Sequence, residues 1–204
     1  MKLFVNSKEI EVSGQRPLIE ELRTAGYDIP SLCYAPDARH EPSCMVCMVR
    51  DEEEDRMIPS CATLPTEGMR IDTESDDVKA LRRMAVELLL SDHRARCGAC
   101  EGRDQCRLRE LSVRMKAKWT RYAPLAPVEP KEQIHVNGRL WFEPAKCIRC
   151  GLCVYNTDDG FTFQHRGFDM QVVIPDQSKS HIGESIAALC PTAALFLKEI
   201  GVTV

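Results

Sequence analysis

The chain has 204 residues, with 27 basic and 31 acidic side chains and a net charge of -4. This balance predicts no surface for nucleic acid or anionic membranes, and no apolar run approaches the roughly 18 residues of a membrane span. The 11 cysteines are an odd number, which argues against a closed disulfide framework. We therefore expect a cytoplasmic protein whose partners are proteins and whose thiols serve as ligands.

The first part of the chain has the pattern of a small mixed sheet with one helix across it. Two apolar stretches within residues 2–12 are separated by polar residues, which predicts a β-hairpin. Apolar residues at helical spacing from Leu18 to Ala25, followed by Gly26, predict a helix that ends at this glycine. Residues 45–49 predict a further strand, and the acidic run 51–55 predicts an exposed hairpin tip, with a docking patch as the alternative.

Four cysteines in this part form the first ligand set, spaced C-x10-C-x2-C-x13-C. They are Cys33, Cys44, Cys47 and Cys61. Zinc sites usually pair two short CxxC-like turns, whereas this set has one CxxC flanked by distant single cysteines. The arrangement favours a [2Fe-2S] cluster over zinc, although the plant-type spacing C-x4-C-x2-C is not met.

The chain then changes to apolar residues at i, i+3 and i+4 spacing, which predicts an amphipathic helix of about three turns from Asp77. The apolar positions are Val78, Leu81, Met84, Ala85, Leu88 and Leu89. His93 follows this helix, and residues 94–104 have no apolar periodicity, which indicates a loop.

The second ligand set is His93, Cys97, Cys100 and Cys106, spaced H-x3-C-x2-C-x5-C. Its three cysteines need a fourth ligand, and of the five histidines only His93 lies about a helix turn from one of them. The alternative is a solvated histidine after the helix. Ligation by a neutral imidazole instead of a thiolate would raise the reduction potential of a cluster held here.

Prolines at 124, 127 and 130 predict a stiff, extended connector. Beyond it, Asn137-Gly138 predicts a tight turn between two strands. Residues 161–163 and 171–174 predict short strands, and 182–189 has helical character.

The third ligand set is Cys147, Cys150, Cys153 and Cys190, and Pro191 follows its last member. A C-x2-C-x2-C run closed by a distant Cys-Pro is typical of [4Fe-4S] clusters, and zinc is the alternative. Thr157 stands where a two-cluster ferredoxin has a further cysteine, so this part should hold one cluster. Lys146 and Arg149 either offset its negative charge or are solvated. The three ligand sets use every cysteine of the chain.

The ordered triple of spacings resembles the N-terminal iron-sulphur region of the large electron-carrying subunit of respiratory NADH dehydrogenase. It is equally similar to the small iron-sulphur subunit of the diaphorase part of NAD-reducing hydrogenases and to related formate dehydrogenases. The stretches DIPSLCY, IPSCATLPTEGMRI, ALRRMAVELLLSDH and ALCPTAAL strengthen the resemblance.

The resemblance implies an α+β fold with one [2Fe-2S] and two [4Fe-4S] clusters, one on each ligand set. We expect a β-grasp [2Fe-2S] domain at 1–76 and a small helical module at 77–121 whose [4Fe-4S] cluster is held by one histidine and three cysteines. A Pro-rich linker at 122–134 and a ferredoxin-like [4Fe-4S] domain at 135–204 are expected to follow.

In that family the clusters relay electrons between a flavoprotein that oxidises NADH and a separate catalytic or quinone-reducing partner. No Gly-rich dinucleotide fingerprint is present, so we expect NAD(H) and flavin on a partner and no active site on this chain. Such a subunit would be cytoplasmic or peripheral on a membrane complex. The alternatives are a free-standing ferredoxin-like carrier and a zinc-binding structural protein.

The sequence departs from the family pattern at two points that concern the partner subunit. The chain ends at Val204, without the molybdopterin-type domain that follows in the large NADH dehydrogenase subunit, which favours the compact diaphorase-type subunit. Residues 154–157 also lack the basic residue and the further cysteine often seen after this ligand run.

Overall fold

The computed structural model describes residues 1–93, 97–100, 102–118, 121–122, 132–175 and 181–198. Within these ranges it has the mixed helix and sheet content that was expected. The prolines of the predicted connector lie outside the described residues. None of the described helices is long and apolar enough to cross a membrane.

The N-terminal part is a five-stranded sheet with one helix against it. Its elements are β1 (Lys2–Val5), β2 (Lys8–Glu11), α1 (Leu18–Thr24), β3 (Met48–Asp51), β4 (Arg56–Pro59) and β5 (Arg70–Asp72). The strand order is β2-β1-β5-β3-β4, in which only β1 and β5 pair in parallel. The predicted hairpin is present, and its turn residues Asn6 and Ser7 both have positive φ, as a tight hairpin turn requires. Helix α1 ends just before Gly26, whose φ of 91° only glycine adopts readily.

The predicted strand at 45–49 is wrong in its first half. Strand β3 begins at Met48, so Cys47 lies just before the strand and not in it. Met45 has a φ of 57°, in the left-handed region, so the chain turns inside the CxxC run before the strand begins. The predicted exposed tip also begins later than expected: Asp51 is buried, and its carboxylate accepts the main-chain N–H groups of Glu53 and Glu54.

Helix α2 (Asp76–Asp92) is longer than predicted, and its buried face is shifted from the predicted stripe. It begins at Ser75, whose side chain accepts the N–H of Val78, and it packs on β3 and on α3 (Arg107–Arg114). Val78 and Ala85 are buried as predicted, but Arg82, Val86 and Leu90 are buried as well, and Leu88 is exposed. Arg82 enters the interior because its guanidinium donates to the carbonyls of Met48 and Thr73.

The C-terminal part contains two small antiparallel sheets. Its elements are β6 (Ile134–Asn137), β7 (Leu140–Phe142), α4 (Leu152–Tyr155), β8 (Thr162–Gln164), β9 (Gln171–Val173) and β10 (Leu195–Leu197). One sheet has the order β10-β7-β6 and the other pairs β8 with β9. The turn at Asn137-Gly138 is present between β6 and β7. The helical segment before Cys190 is a 3₁₀ helix at Glu184–Leu189.

One hydrophobic core lies where the three ligand sets meet. Its buried members include Cys33 and Cys44 of the first set and Cys106 of the second, and Cys150 of the third packs against it. Helix α2 supplies Ala85, Val86 and Leu90 to the same core. The fold therefore brings at least one cysteine of each set to one apolar centre, although the sets are consecutive in the chain.

Candidate iron-sulphur sites

The thiols of the first ligand set are all buried, and Cys61 is hydrogen-bonded to both Cys33 and Cys47. Cys33 Sγ is 3.3 Å from Cys44 Sγ. Hydrogen bonds from Cys44 and Cys61 hold the pKa of Cys33 far below its usual range, while the pKa values of Cys44 and Cys61 are raised. A hydrogen bond from Cys61 likewise lowers the pKa of Cys47 to about 7. Metal binding to such hydrogen-bonded thiols displaces their protons, because metals bind the thiolate form.

The loop geometry of the first set explains how distant residues meet. Cys61 follows strand β4 and reaches back to the CxxC turn, because Ser60 donates both its N–H and its hydroxyl to the carbonyl of Cys47. The ring of His40 is hydrogen-bonded to the carbonyl of Cys61 at 3.0 Å. Cys61, which 13 residues separate from Cys47 in the sequence, is thus held beside Cys33 and Cys47.

The three cysteines of the second set are also close together. Burial raises the pKa values of Cys97 and Cys106, and in both cases neighbouring thiols of the set raise them further. Cys106 precedes helix α3, where the N–H groups of Leu108 and Arg109 donate to its sulphur. The positive end of the helix therefore faces this thiol and favours its thiolate form.

His93 directly follows α2, as predicted, and caps it. Burial lowers its pKa to about 4, the charge of Lys146 lowers it further, and Glu143 opposes this. The imidazole is therefore neutral at pH 7, which is the form that binds metal. Its ligation in the second set stays a prediction, since residues 94–96, which join it to Cys97, lie outside the described residues.

The four cysteines of the third set line a single cavity. Its other walls are largely apolar and include Phe142, Leu152 and Val172. The main-chain N–H groups of Arg149 and Leu195 donate to the sulphurs of Cys147 and Cys190, both at 3.4 Å. N–H···S hydrogen bonds and a dry wall are features that tune the potentials of bound iron-sulphur clusters.

Burial raises the pKa values of all three clustered thiols of the third set, that of Cys147 to about 12. Thr157, where a two-cluster ferredoxin has another cysteine, has a structural role. Its hydroxyl donates to the carbonyl of Cys153 and accepts the N–H of Phe161.

The three ligand loops touch one another through polar contacts as well as through the shared core. The N–H of Arg107 donates to the carbonyl of Pro191 at 2.8 Å, and its guanidinium donates to the carbonyl of Ser31 at 3.2 Å. Arg149 forms an ion pair with Asp92. Arg107 follows a ligand of the second set, Pro191 a ligand of the third, and Ser31 lies two residues before Cys33, so one residue joins all three loops.

The donor chemistry of the sites fits iron-sulphur clusters. Soft thiolates favour iron-sulphur clusters, zinc and copper(I), and the sets here are buried and mostly thiol. The fold and its thiol sets define an iron-sulphur protein.

Comparison with known protein families shows which iron-sulphur domains the chain matches. Residues 1–76 match the 2Fe-2S iron-sulfur cluster binding domain, and residues 82–121 match the NADH-ubiquinone oxidoreductase-G iron-sulfur binding region. The resemblance to the iron-sulphur subunits of NADH dehydrogenase and NAD-reducing hydrogenase is thereby confirmed. One [2Fe-2S] domain and one [4Fe-4S] region are present in the chain.

Two relatives show how much of the chain is shared. The chain is 27% identical over 205 residues to the mitochondrial NADH-ubiquinone oxidoreductase 78 kDa subunit of Candida albicans, covering 97% of this chain and 28% of that protein. It is 23% identical over 216 residues to the gamma subunit of the NAD-reducing hydrogenase HoxS of Cupriavidus necator, covering 98% and 88%. The chain thus spans less than a third of the first relative and most of the second.

The fold is shared with a solved structure. A chain in the crystal structure of an NAD+-reducing [NiFe]-hydrogenase in the H2-reduced state superimposes with a TM-score of 0.86 at 24% identity, covering 100% of this chain and 89% of that one. This likeness extends to the C-terminal part, which neither family model covers.

Two features of the site were missed by reasoning from sequence. The ion pair of Glu143 with Lys146 is fully buried beside the third set, and Arg107 joins the three loops. Only Lys146 had a signal in the sequence, as a cation next to a ligand. Burial and long-range main-chain contacts have no local signature.

Proposed function

We propose that the chain is an electron-transfer iron-sulphur subunit of a multisubunit NAD(P)-linked oxidoreductase of the hydrogenase, formate dehydrogenase or NADH dehydrogenase type. It relays electrons between a flavin- and NAD(H)-binding subunit and a separate catalytic subunit. The observation that carries the proposal is the common core that holds cysteines of all three ligand sets. Electron relay needs clusters close together, and this core brings at least one ligand of each set together.

The proposed ligands follow the three sets. A [2Fe-2S] cluster in a β-grasp domain is held by Cys33, Cys44, Cys47 and Cys61; one [4Fe-4S] cluster by His93, Cys97, Cys100 and Cys106; and a second [4Fe-4S] cluster by Cys147, Cys150, Cys153 and Cys190. Bound clusters supply one-electron transfer without proton or group chemistry.

The chain's own residues supply placement and environment. The apolar core and cavity walls exclude water, and the N–H groups of Arg149, Leu195 and Leu108 direct positive dipoles at the sulphurs. Buried thiols with raised pKa values stay protonated until metal displaces the proton, so cluster assembly releases protons.

An exposed apolar groove supports a complex subunit rather than a diffusing carrier. The groove has a volume of about 470 Å³ and reaches both Cys44 and Cys147. Leu88 and Phe168 on its walls are 49% and 82% exposed. Large apolar side chains beside a redox site are expected at the contact with another subunit of the same complex.

The test compares reduction by NADH with and without the flavoprotein subunit of the same complex. Co-purified with that subunit, the chain should show EPR signals of reduced clusters on addition of NADH. Alone, it should show them only with a chemical reductant. Reduction of the isolated chain by NADH would contradict the proposal, and equal electron transfer from unrelated flavoproteins in dilute solution would favour the free-standing carrier.

A further inference from the structure

Positive charge is concentrated beside the second ligand set, on and around helix α3. Residues 103–118 carry six basic and two acidic side chains, a net charge of +4, whereas the whole chain has a net charge of -4. The run 51–55, in contrast, consists of five acidic residues. One short segment of an acidic protein is therefore strongly basic.

The helix places four arginines around one groove. Leu108, Leu111 and Ser112 form the buried side of α3, so the other positions of the helix face away from the core. A groove of about 470 Å³ lies on this outer side, and two carboxylates, Asp104 and Glu110, are part of its walls. Its arginines, which we call the basic face, are Arg103, Arg107, Arg109 and Arg114. Arginine thus outnumbers carboxylate two to one in the groove.

The charges of the basic face are available to a partner. Arg107 and Arg109 form no ion pair with any residue that the structure describes. Arg103 and Arg114 are each paired with one exposed carboxylate, at 3.3 and 2.7 Å, and the two arginines are themselves 52% and 40% exposed. Ion pairs between exposed side chains contribute little to stability, so the carboxylates of a partner can replace them.

The groove combines this charge with a ligand of the second set and with an apolar contact. Cys106 is one of its lining residues. Val113 also lines the groove and is 68% exposed. Protein interfaces combine apolar contacts with polar ones, and complementary charge steers a partner to its site. A protein seated in this groove would lie beside the second ligand set.

The basic face differs in chemistry from the apolar groove that supports the proposed function. The apolar groove reaches Cys44 and Cys147 and includes Leu88 and Phe168, whereas the basic groove reaches Cys106. No described residue lines both grooves. Apolar surfaces are typical of permanent contacts, whereas charged surfaces speed association and select the partner. The two surfaces therefore suit two different partners.

We propose that the basic face binds a carboxylate-rich surface of the separate catalytic subunit, which thereby docks beside the second ligand set. The inference rests on the proposed function, because it takes that subunit as the partner. The excess of arginine selects an acidic surface, and the exposed Val113 selects a protein over a small anion. Arginine and carboxylate form paired hydrogen bonds, which fix the orientation of the partner.

The test measures binding of the cluster-loaded chain to the catalytic subunit of the same complex at low and at high salt. A variant that combines Arg103→Gln with Arg114→Gln removes two charges from the basic face and leaves Arg107, which joins the ligand loops, in place. Loss of two exposed charge pairs should weaken binding about tenfold at low salt. At about 1 M salt the difference should vanish, because the screening length is then about 3 Å.

The N-terminal sheet offers a matched control. Arg56 on β4 and Arg70 on β5 are also exposed arginines that each pair with an exposed carboxylate. Arg56→Gln combined with Arg70→Gln changes the net charge by the same amount and should leave binding unchanged. Equal iron content and equal thermal unfolding of both double variants check that each is folded.

Binding by the variant of Arg103 and Arg114 that equals binding by the unmodified chain would overturn the proposal, and so would an equal loss in the control. Salt-sensitive self-association that this variant abolishes would also overturn it, since the acidic run 51–55 of a second copy would then be the occupant. A different result would overturn the proposed function instead: salt-sensitive binding at the basic face without electron transfer between the reduced chain and the bound subunit.

Discussion

Replacement of Gly102 by alanine tests the contact between the second and third ligand loops. Gly102 lies between Cys100 and Cys106, and a Cβ added there would lie 2.6 Å from the Cβ of Ala193, in the loop after Cys190. Real Cβ atoms do not approach so closely, so the two loops must move apart. The φ of Gly102 is -88°, a value that alanine adopts without strain, so no backbone strain adds to the clash.

The magnitude follows from two opposing effects. Overpacking of a closely packed contact costs about 1–3 kcal/mol. Replacing glycine by alanine stabilises by about 0.4–1 kcal/mol through the unfolded chain. We expect Gly102→Ala to lower the free energy of unfolding of the cluster-loaded protein by about 1–2 kcal/mol, measured by urea unfolding with circular dichroism.

The chain offers a matched control and a rescue. Gly98 lies in the same loop, and a Cβ there would meet nothing within 4 Å, so Gly98→Ala should not destabilise. Combining Gly102→Ala with Ala193→Gly removes the clashing methyl group and should restore most of the loss in a double-mutant cycle. Equal effects of Gly102→Ala and Gly98→Ala, or a loss that persists in the double variant, would refute the predicted contact.

Three further predictions concern a buried carboxylate, the histidine ligand and the residue that joins the loops. Burial raises the pKa of Glu21, but hydrogen bonds from residues 13–16 outweigh it and the net pKa is lowered from 4.5. The ionised Glu21 side chain therefore stabilises the fold fully above its unfolded-state pKa, and this stabilisation is lost as the pH falls through its folded-state pKa. Glu21→Gln should be less stable than the unmodified protein near pH 7, and the difference should shrink in acid. A pH-independent difference in urea unfolding would contradict this. His93→Cys should lower the midpoint potential of the middle cluster in an EPR titration, and an unchanged signal and potential would exclude histidine as a ligand. Arg107→Gln loses the hydrogen bond to Ser31 and should lower the free energy of unfolding by about 0.5–1.5 kcal/mol, measured by thermal unfolding. An unchanged stability would contradict this prediction.

The elements that could be predicted from sequence are those with local causes. The first hairpin, the end of α1 at Gly26 and the turn at Asn137-Gly138 each depend on a turn or cap whose chemistry lies within a few residues. The position of His93 after α2 also follows from the length of one periodic segment.

The missed features depend on parts of the chain that are distant in sequence. Residues 45–49 have strand-like composition, yet the left-handed turn at Met45 delays the strand until Met48. On α2, periodicity could not show that Arg82 would be buried by carbonyls from β3 and the residue after β5, or that Leu88 would stay exposed.

The ligand spacings predicted more than the composition did, because they assigned each cysteine to one of three ligand sets. They divided the cysteines into sets that the fold brings close together around one core, which spacing alone could not reveal. The complete burial of Glu143 and Lys146 could not be predicted from the sequence either.

Cluster content is the most direct test of the central claim. We expect about ten irons per chain, with one [2Fe-2S] and two [4Fe-4S] signals in EPR spectra after chemical reduction of the anaerobically purified protein. A colourless, zinc-loaded protein would contradict it.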